Sequence, residues 1–275
     1  MTKKAAVMGW PVDHSLSPKV HGYWLDYYGI DGMYDLYPVS DEGDLFEQHV
    51  RSLARNGYSG VNVTIPFKER ALLCVDEVTD VARAIGAVNT IIVKQDGLLL
   101  GTNTDAFGFI QNILSSIQDF DFKDKHCVCI GAGGAAKAIV YGLIEAGAAI
   151  VEVTNRTREK AEEIASQFPD RVRVKDWSEV IFFTDREDFL VNTTALGMSG
   201  KPELAIDLKN LPDRAIVTDI VYSPLETKLL SSAKQKGNPI VDGLGMLLYQ
   251  AVAGFENFFG VKPQVTDELR NVVLG

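Results

Sequence analysis

Over the first hundred residues, short apolar runs alternate with stretches whose apolar positions recur at helical spacing. We predict extended segments at Ala5–Met8, Tyr34–Val39 and Gly60–Ile65, and helices at Lys19–Tyr28, Leu45–Arg55 and Phe67–Val75. A hairpin is predicted next, because Ala87–Lys94 and Leu98–Thr102 flank Gln95-Asp96-Gly97, whose Asp-Gly pair favours a tight turn. This pattern predicts an α/β lobe with a mixed sheet.

A second pattern begins near Asp105, with a helical stretch to Ile117. Short, almost continuously apolar strands then recur at 126–130, 150–154, 172–174, 189–192, 215–220 and 239–241. Helical patterns separate several of these strands, which is typical of a doubly wound parallel sheet. The helical tail Leu244–Gly260 is expected to return to the first lobe. We therefore predict one domain from 1–104 and 243–275, and a Rossmann domain over 105–242.

Composition narrows the class of protein. The chain has 275 residues, 46% of them hydrophobic and 23% charged, which is globular and too long for one small core. Its net charge of −10 argues against nucleic acid or an anionic membrane as a partner. The apolar run Ala5–Met8 is too short for a signal peptide, and no later run is long enough to span a membrane. Three cysteines without framework spacing fit a reducing cytoplasm.

A glycine-rich turn follows the first strand of the second region. Cys127–Ile130 runs directly into Gly131-Ala132-Gly133-Gly134-Ala135-Ala136, and a helical stretch follows to Ala146. In this strand–turn–helix setting, the first glycine permits a tight turn and the second lets the backbone approach a pyrophosphate. The small Ala136 lets the helix pack close to the sheet. Dinucleotide binding is the favoured interpretation, and a purely structural turn is the alternative.

The end of the next strand indicates which dinucleotide is bound. An NAD enzyme usually places Asp or Glu there to accept from the ribose 2′-hydroxyl. Here Asn155-Arg156-Thr157 is followed by Arg158 and Lys160. A guanidinium without a carboxylate favours a 2′-phosphate, and hence NADP. The alternative is a solvated, basic start of a helix.

Four polar clusters in the first region lie where a strand meets a helix or a turn, where ligand groups usually lie in α/β sheets. They are Ser15–Pro18, Asn62–Lys68, Gly86–Thr90 and Gly101–Asp105. Together they supply hydroxyls, amides, one ammonium and one carboxylate, which suits a small polyhydroxylated acid.

These clusters, taken in order with the glycine-rich turn, Asn155-Arg156-Thr157 and Asp242-Gly243-Leu244-Gly245-Met246-Leu247, resemble the shikimate dehydrogenase family over essentially the whole chain. The resemblance implies a substrate lobe, a Rossmann lobe and a cleft between them. It also implies NADP-dependent, reversible reduction of 3-dehydroshikimate to shikimate, a step in chorismate and aromatic amino acid biosynthesis. We expect these small molecules as partners, and a monomer or homodimer.

The resemblance also carries over to individual residues. By the family pattern, shikimate would contact Ser15, Ser17, Thr64, Lys68, Asn89, Asp105, Tyr222 and Gln250. NADP would contact Gly131, Ala132, Gly133, Gly134, Ala135, Asn155, Arg156, Thr157, Arg158, Lys160, Ile220 and Gly243, with Asp80 as a further neighbour. Two departures are small: Lys137 stands where many relatives have Arg, and the segment 192–198 matches the family's loop only loosely.

The reaction needs a residue that transfers a proton, because a ketone that accepts a hydride becomes an alkoxide, which must then be protonated. No metal site is predicted: the four histidines lack zinc spacing with the cysteines, and Cys127 and Cys129 share one face of a buried strand. Lys68 is therefore the predicted acid/base, with Asp105 paired to it. The nearby carboxylate favours the ammonium, so Lys68 is a ready acid in reduction, whereas oxidation needs desolvation or a proton relay. The alternatives are a surface lysine that opens a helix and an aspartate N-cap.

Three other functions compete with this hypothesis. A broader quinate/shikimate dehydrogenase would use NAD, which Asn155-Arg156-Thr157 argues against. A folate-pathway dehydrogenase would share a lysine and NADP, but it should lack the paired serines. A non-catalytic NADP sensor would not need both Lys68 and Asp105.

Overall fold

The computed structural model describes residues 2–40, 45–179, 183 and 186–275. The strands, in chain order, are β1 Lys3–Gly9, β2 Gly32–Pro38, β3 Tyr58–Val63, β4 Glu77–Val78, β5 Thr90–Val93, β6 Leu99–Thr102, β7 His126–Ile130, β8 Ile150–Thr154, β9 Val172–Val174, β10 Phe189–Asn192, β11 Ile216–Asp219 and β12 Ile240–Val241. The α-helices are α1 Ser17–Tyr27, α2 Leu45–Ser52, α3 Lys68–Cys74, α4 Asp80–Ile85, α5 Asp105–Ser116, α6 Gly134–Glu145, α7 Arg158–Gln167, α8 Lys228–Lys236, α9 Leu244–Phe259 and α10 Asp267–Leu274. A 3₁₀ turn spans Trp177–Glu179.

The chain divides into two compact units. The first comprises residues 1–108 and 247–275, and the second comprises residues 109–246. Both boundaries fall inside helices, α5 and α9. Each unit contains its own six-stranded sheet.

The sheet of the first unit is mixed, with strand order β2-β1-β3-β5-β6-β4. β1 is parallel to β2 and β3, whereas β5 is antiparallel to both β3 and β6. The hairpin between β5 and β6 turns at Gly97, whose positive φ of 87° suits glycine. The predicted extended segment at Ala87–Lys94 starts too early. Its first residues bond elsewhere instead, since the Val88 N–H donates to the Lys68 carbonyl and the Asn89 N–H to the Thr102 carbonyl.

The sheet of the second unit is entirely parallel in the order β12-β11-β10-β7-β8-β9. Successive residues of β7 enter different cores: Cys127 and Cys129 pack into one apolar cluster, Val128 and Ile130 into the other. A strand buried on both faces explains its continuous apolar run. The predicted fold class, an α/β chain with a mixed sheet and a doubly wound parallel sheet, is confirmed.

Two further observations concern the described residues alone. No helix among them combines the length and the apolar character that crossing a bilayer requires. No group of three or more His, Cys, Asp or Glu side chains in the same part of the chain could hold a metal ion.

Candidate active site and dinucleotide site

A partly buried ion pair lies at one edge of the first unit's sheet. Lys68 opens α3 just after β3, and Asp105 opens α5 just after β6. The Lys68 Nζ donates to Asp105 Oδ2 over 2.6 Å, and the two side chains retain only 19% and 7% of their exposure. Lys68 does open a helix, as the structural alternative required, but it is not a surface lysine. At the start of α5, Asn103 Oδ1 accepts the Asp105 N–H, while the Asp105 carboxylate faces Lys68.

The register of the sheet explains why these distant segments meet. Asn62 pairs with Thr90, and Thr90 pairs with Thr102. The ends of β3 and β6 and the start of β5 therefore share one edge, because β5 runs antiparallel to both neighbours. The polar residues that follow or precede these strands are brought together at that edge.

Asn89 and Gln250 join the ion pair. The Asn89 Nδ2 donates to Asp105 Oδ1 over 2.8 Å and to Thr104 Oγ1 over 3.0 Å. The Thr104 hydroxyl also lies 3.5 Å from Gln250 Oε1, which α9 contributes. The structure thus places two predicted substrate residues, Lys68 and Asn89, on the carboxylate of a third, Asp105, and brings a fourth, Gln250, next to Thr104.

The serine cluster and Thr64 lie at the same end of the parallel strands β1 and β3. The Ser17 N–H donates to Ser15 Oγ over 3.3 Å, and the Thr64 N–H donates to the Met8 carbonyl over 2.9 Å. A Cβ on Gly9 would lie 2.3 Å from the Thr64 side-chain methyl, so only glycine lets the two strand ends approach this closely. Backbone pairing between β1 and β3 therefore fixes Thr64 next to the loop that leads to the serines.

In the second unit, the glycine-rich segment forms the predicted strand–turn–helix. Gly131 has a φ of +114°, and an added Cβ would lie 2.5 Å from Thr193 Oγ1, so a side chain is excluded twice over. Gly133 caps α6, and added Cβ atoms on Gly133 and Gly134 would meet nothing within 4 Å. This open space in front of free helix amides suits a pyrophosphate, and the buried Ala136 packs α6 on the sheet.

The basic segment after β8 is tied to this turn, since the Gly131 N–H donates to the Thr154 carbonyl over 2.8 Å. Arg158 pairs with Glu162 at 2.8 Å and with Asp176 at 3.6 Å. Arg156 is exposed and forms no ion pair within the described part of the chain. The Asn155 Nδ2 donates to the Thr157 carbonyl over 2.8 Å and shapes the loop. Of the two arginines, Arg156 has the freer guanidinium.

The remaining predicted residues lie as follows. Ala132 is buried and Ala135 is half-buried beside the glycine turn, while Thr157 and Lys160 are exposed at the start of α7. Ile220 and Tyr222 follow β11, and burial raises the pKa of Tyr222. A Cβ on Gly243 would lie 2.4 Å from the Ile220 carbonyl oxygen, so these two predicted cofactor neighbours are adjacent. Asp80 is exposed at the start of α4, in the first unit, and its cofactor role stays a prediction.

Some polar residues near the ion pair carry no individual role in the sequence-based prediction, although three of them lie within the predicted polar clusters. Tyr34, Asn62, Thr90 and Thr104 are buried and hydrogen-bonded behind the ion pair. Asn62 could have been found from the sequence, since it interrupts the apolar strand Gly60–Val63 with an amide that needs a hydrogen-bond partner. Tyr34 could not have been found in this way, because tyrosine is common in strands.

Known families match the chain along most of its length. Residues 7–91 match the shikimate dehydrogenase substrate binding domain, residues 112–201 match shikimate/quinate 5-dehydrogenase, and residues 243–274 match the shikimate 5′-dehydrogenase C-terminal domain. The shikimate dehydrogenase (NADP(+)) of Paramagnetospirillum magneticum is 48% identical over 270 residues, which are 98% of this chain and 97% of the relative.

Solved structures agree with these matches. The shikimate 5-dehydrogenase of Thermus thermophilus, in complex with NADP(H) and shikimate, has a TM-score of 0.87 at 33% identity and covers 99% of each chain. The quinate dehydrogenase of Corynebacterium glutamicum, in complex with NAD, has a TM-score of 0.91 at 29% identity, also covering 99% of each chain. The resemblance predicted from the motifs is confirmed: this chain belongs to the shikimate dehydrogenase family.

Proposed function

We propose that this chain catalyses the reversible, NADPH-dependent reduction of 3-dehydroshikimate to shikimate. Residues 1–104 and 243–275 would bind the substrate, and residues 105–242 would bind NADP. The observation that carries the proposal is the 2.6 Å pair of Lys68 and Asp105, buried among hydroxyl and amide groups. An ammonium held by a carboxylate in such a setting is a positioned proton donor.

NADPH, when bound, supplies the hydride that reduces the ketone. The ketone oxygen then carries the electron pair of the former π bond and needs a proton. Lys68 donates that proton from Nζ and becomes a neutral amine. In the oxidation of shikimate, the neutral amine takes the hydroxyl proton as the hydride leaves. Asp105 keeps the ammonium aimed at the reacting oxygen, and its carboxylate accepts a hydrogen bond from a substrate hydroxyl.

The other polar groups bind the substrate without exchanging protons. Ser15 and Ser17 offer hydroxyl donors to the substrate carboxylate, since they lie beside each other after β1. Asn89 and Gln250 offer amides, and Thr64 a hydroxyl, to the ring hydroxyls. We assign Tyr222 to the same group of contacts. This set matches a small acid that is polar along its whole edge.

The residues of the dinucleotide site fit NADP. The amides of Gly131–Ala135 and the N-terminus of α6 suit the pyrophosphate, because the space in front of Gly133 and Gly134 is open. Arg156 and Thr157 would bind the 2′-phosphate, with Asn155, Arg158 and Lys160 around it. Ile220, Gly243 and Asp80 are the remaining proposed neighbours. A guanidinium that forms no ion pair with any described residue, as at Arg156, favours a ligand that brings its own negative charge.

A second candidate is the oxidation of quinate with NAD, because the quinate dehydrogenase of Corynebacterium glutamicum in complex with NAD shares the fold at a TM-score of 0.91. Arg156 and the lack of an acidic residue at the end of β8 favour NADP instead. We also propose a cytoplasmic protein, on the strength of three cysteines that are all free and buried.

One assay tests both candidates. NADPH consumption is followed on addition of 3-dehydroshikimate, and is then repeated with NADH. In the opposite direction, NADP reduction is followed with shikimate and with quinate. We expect turnover with NADPH and 3-dehydroshikimate that exceeds every other combination. Faster oxidation of quinate with NAD would replace the proposal by the second candidate, and no turnover with any pair would contradict both.

A further inference from the structure

A continuous line of hydrogen bonds runs from the interior of the first unit to the Asp105 carboxylate. The Tyr34 hydroxyl donates to Asn62 Oδ1 over 2.6 Å, and the Asn62 Nδ2 donates to Thr90 Oγ1 over 3.0 Å. The Thr90 hydroxyl donates to Asn89 Oδ1 over 2.9 Å, and the Asn89 Nδ2 donates to Asp105 Oδ1 over 2.8 Å. Lys68 occupies the other carboxylate oxygen. The line therefore ends on the catalytic pair.

The direction of every bond follows from one fixed point. The Thr104 N–H, which can only donate, lies 2.9 Å from the side chain of Asn89. That atom must therefore be the amide oxygen of Asn89, and the NH₂ group must face Asp105. Because the Asn89 oxygen can only accept, Thr90 must donate to it. The lone pairs of Thr90 are then left for the NH₂ group of Asn62, so all donors point towards the carboxylate.

The line is enclosed along its whole length. Tyr34, Asn62, Thr90 and Asn89 are all buried, so water has no ready access to replace a lost partner. Burial raises the pKa of Tyr34 well above its usual range, which keeps its hydroxyl proton in place as a donor. The Tyr34 ring is itself fixed, since it stacks on His21 with 3.7 Å between the ring centroids. The stacked Tyr34 ring therefore fixes the inner end of the hydrogen-bonded line, and Asp105 forms its outer end.

We propose that Thr90 is a positioning residue for the reaction, acting through Asn89 on the Asp105–Lys68 pair. Its hydroxyl is a second donor to Asn89 Oδ1, beside the Thr104 N–H, and the two donors together hold the amide so that its NH₂ group faces Asp105. The oriented carboxylate in turn holds the Lys68 ammonium. Asn62 and Tyr34 extend the same constraint inwards. The inference rests on the proposed function, because it presumes that Lys68 transfers the proton. Hydrogen-bond donors that are already in place lower the barrier of a reaction most where charge develops in the transition state.

The test compares two substitutions at Thr90. Thr90→Val keeps the shape but removes the hydroxyl, so Asn89 Oδ1 keeps the Thr104 N–H but loses its Thr90 donor, and the amide that donates to the carboxylate is held less firmly. We expect kcat for 3-dehydroshikimate reduction to fall roughly tenfold, as small misplacements of reacting groups do. The KM for NADPH should stay unchanged. Thr90→Ser restores the hydroxyl and should return kcat to within about twofold of the parent protein.

Ser52→Ala is the matched control. The Ser52 hydroxyl also accepts from an asparagine amide, over 3.0 Å from Asn56, and donates to the His49 carbonyl over 2.8 Å, but it lies outside the line. Its loss should lower the unfolding temperature without changing kcat. Should Thr90→Val not fold, Tyr34→Phe replaces it, since this variant removes the outermost donor and keeps the stacked ring. The Tyr34 hydroxyl also bonds the Ser17 side chain, so a change confined to the KM for 3-dehydroshikimate is assigned to Ser17 and counts against the inference. A lower kcat with unchanged NADPH binding then supports the inference, and an unchanged kcat overturns it.

Combining Thr90→Val with Lys68→Ala separates the inference from the proposed function. If Thr90 acts through Lys68, it should slow the Lys68→Ala variant no further, because residues that act as a unit are not additive. A full multiplicative loss in the double variant overturns the inference. A large loss in Lys68→Ala beside a normal kcat in Thr90→Val overturns the inference alone. A normal kcat in Lys68→Ala removes the proposed catalytic role, and the inference with it.

Discussion

The candidate sites of the two units differ in whether backbone or side-chain groups form them. The candidate dinucleotide site of the second unit consists mostly of backbone groups, because one contiguous segment supplies both the turn at Gly131 and the helix amides of α6. The candidate site of the first unit consists mostly of side chains, which come from four separate segments and meet through the register of Asn62, Thr90 and Thr102. A backbone site can be encoded locally by glycines. A side-chain site depends on the whole sheet being in register.

Their charges differ in the same way. Lys68 is already paired with Asp105 and partly buried, whereas Arg156 is exposed and forms no ion pair with any described residue. Under the proposed function, the first unit would hold its charged groups ready for the reaction. In the second unit, the Arg156 guanidinium would gain a partner only from the ligand. Substitutions in the first unit should thus change turnover, and those in the second should change cofactor binding.

The largest expected effect is on Lys68→Ala. General acid–base catalysis contributes about 10²–10⁴-fold, so kcat should fall by that order while KM changes little. Steady-state kinetics with NADPH and 3-dehydroshikimate measure both constants. Lys94→Ala is the matched control, because Lys94 pairs with Glu77 over 2.7 Å in the same unit, away from the site. A near-normal kcat in Lys68→Ala would contradict the proposal that the side chains of the first unit carry the proton transfer.

Gly131→Ala should have the next largest effect, and it should appear in cofactor binding. The added Cβ must adopt a φ of +114° and lies 2.5 Å from Thr193 Oγ1, so the turn has to move. We expect NADPH affinity, measured by titration of the cofactor, to fall by about 10²-fold, with a loss of about 1–3 kcal/mol of stability.

Gly237→Ala provides the control for this substitution. Gly237 also has a positive φ, +97°, but an added Cβ would meet nothing within 4 Å. It should cost a similar backbone strain, about 1–2 kcal/mol, without changing NADPH affinity. Equal NADPH affinities in the two glycine variants would show that the Gly131 turn does not shape the dinucleotide site.

The difference between a local backbone segment and side chains from separate segments also explains how much of each site could be predicted from the sequence. The turn at Gly131 lies entirely within one motif, so its position, its conformation and the helix after it follow from six consecutive residues. The parallel strands could be predicted equally well from the sequence, because a strand buried on both faces, such as β7, is apolar along nearly its whole length. Local rules suffice where one segment makes the structure.

The first site could be predicted only in part. Lys68, Asn89 and Asp105 stand out as polar residues at the ends of apolar strands, but their contacts depend on pairing between β3, β5 and β6. The line from Tyr34 to Thr90 could not be predicted, because no local spacing links residues that pair across 28 positions. Short elements such as β4, with two residues, carry too little pattern to detect.

Arg156→Ala should change NADPH binding by a smaller factor than the glycine variant. A charge-assisted hydrogen bond contributes about 1.5–3 kcal/mol, which corresponds to roughly ten- to a hundredfold in affinity. NADH has no 2′-phosphate, so its KM should stay the same. Arg158→Ala is the comparison: its guanidinium already pairs with Glu162 and Asp176, so its loss should cost less. Equal use of NADH and NADPH by the unmutated protein would contradict the assignment.

The smallest effect on turnover is expected at His21, although it should affect stability. His21 lies buried against Tyr34, and neither ring nitrogen has a hydrogen-bond partner among the described residues. Burial lowers the pKa of His21 from its ordinary 6.5 to about 3. Its neighbours are the aromatic rings of Trp24, Phe255, Phe258 and Phe259. These rings exclude water, so a charge on His21 would lose its hydration within the aromatic cluster.

The folded protein therefore leaves His21 neutral in a pH range where the unfolded chain binds a proton. Between pH 6.5 and about 3, the free energy of unfolding should fall as the pH falls, with His21 contributing up to about 1.4 kcal/mol per pH unit. His21→Phe keeps a flat ring against Tyr34 and removes this contribution, so its stability should decline less steeply in urea titrations across that range. All other titrating groups are common to both proteins, and the difference in slope isolates His21. Parallel pH profiles would show that the folded protein protonates His21 as readily as the unfolded chain does, and kcat at neutral pH should be nearly the same in both.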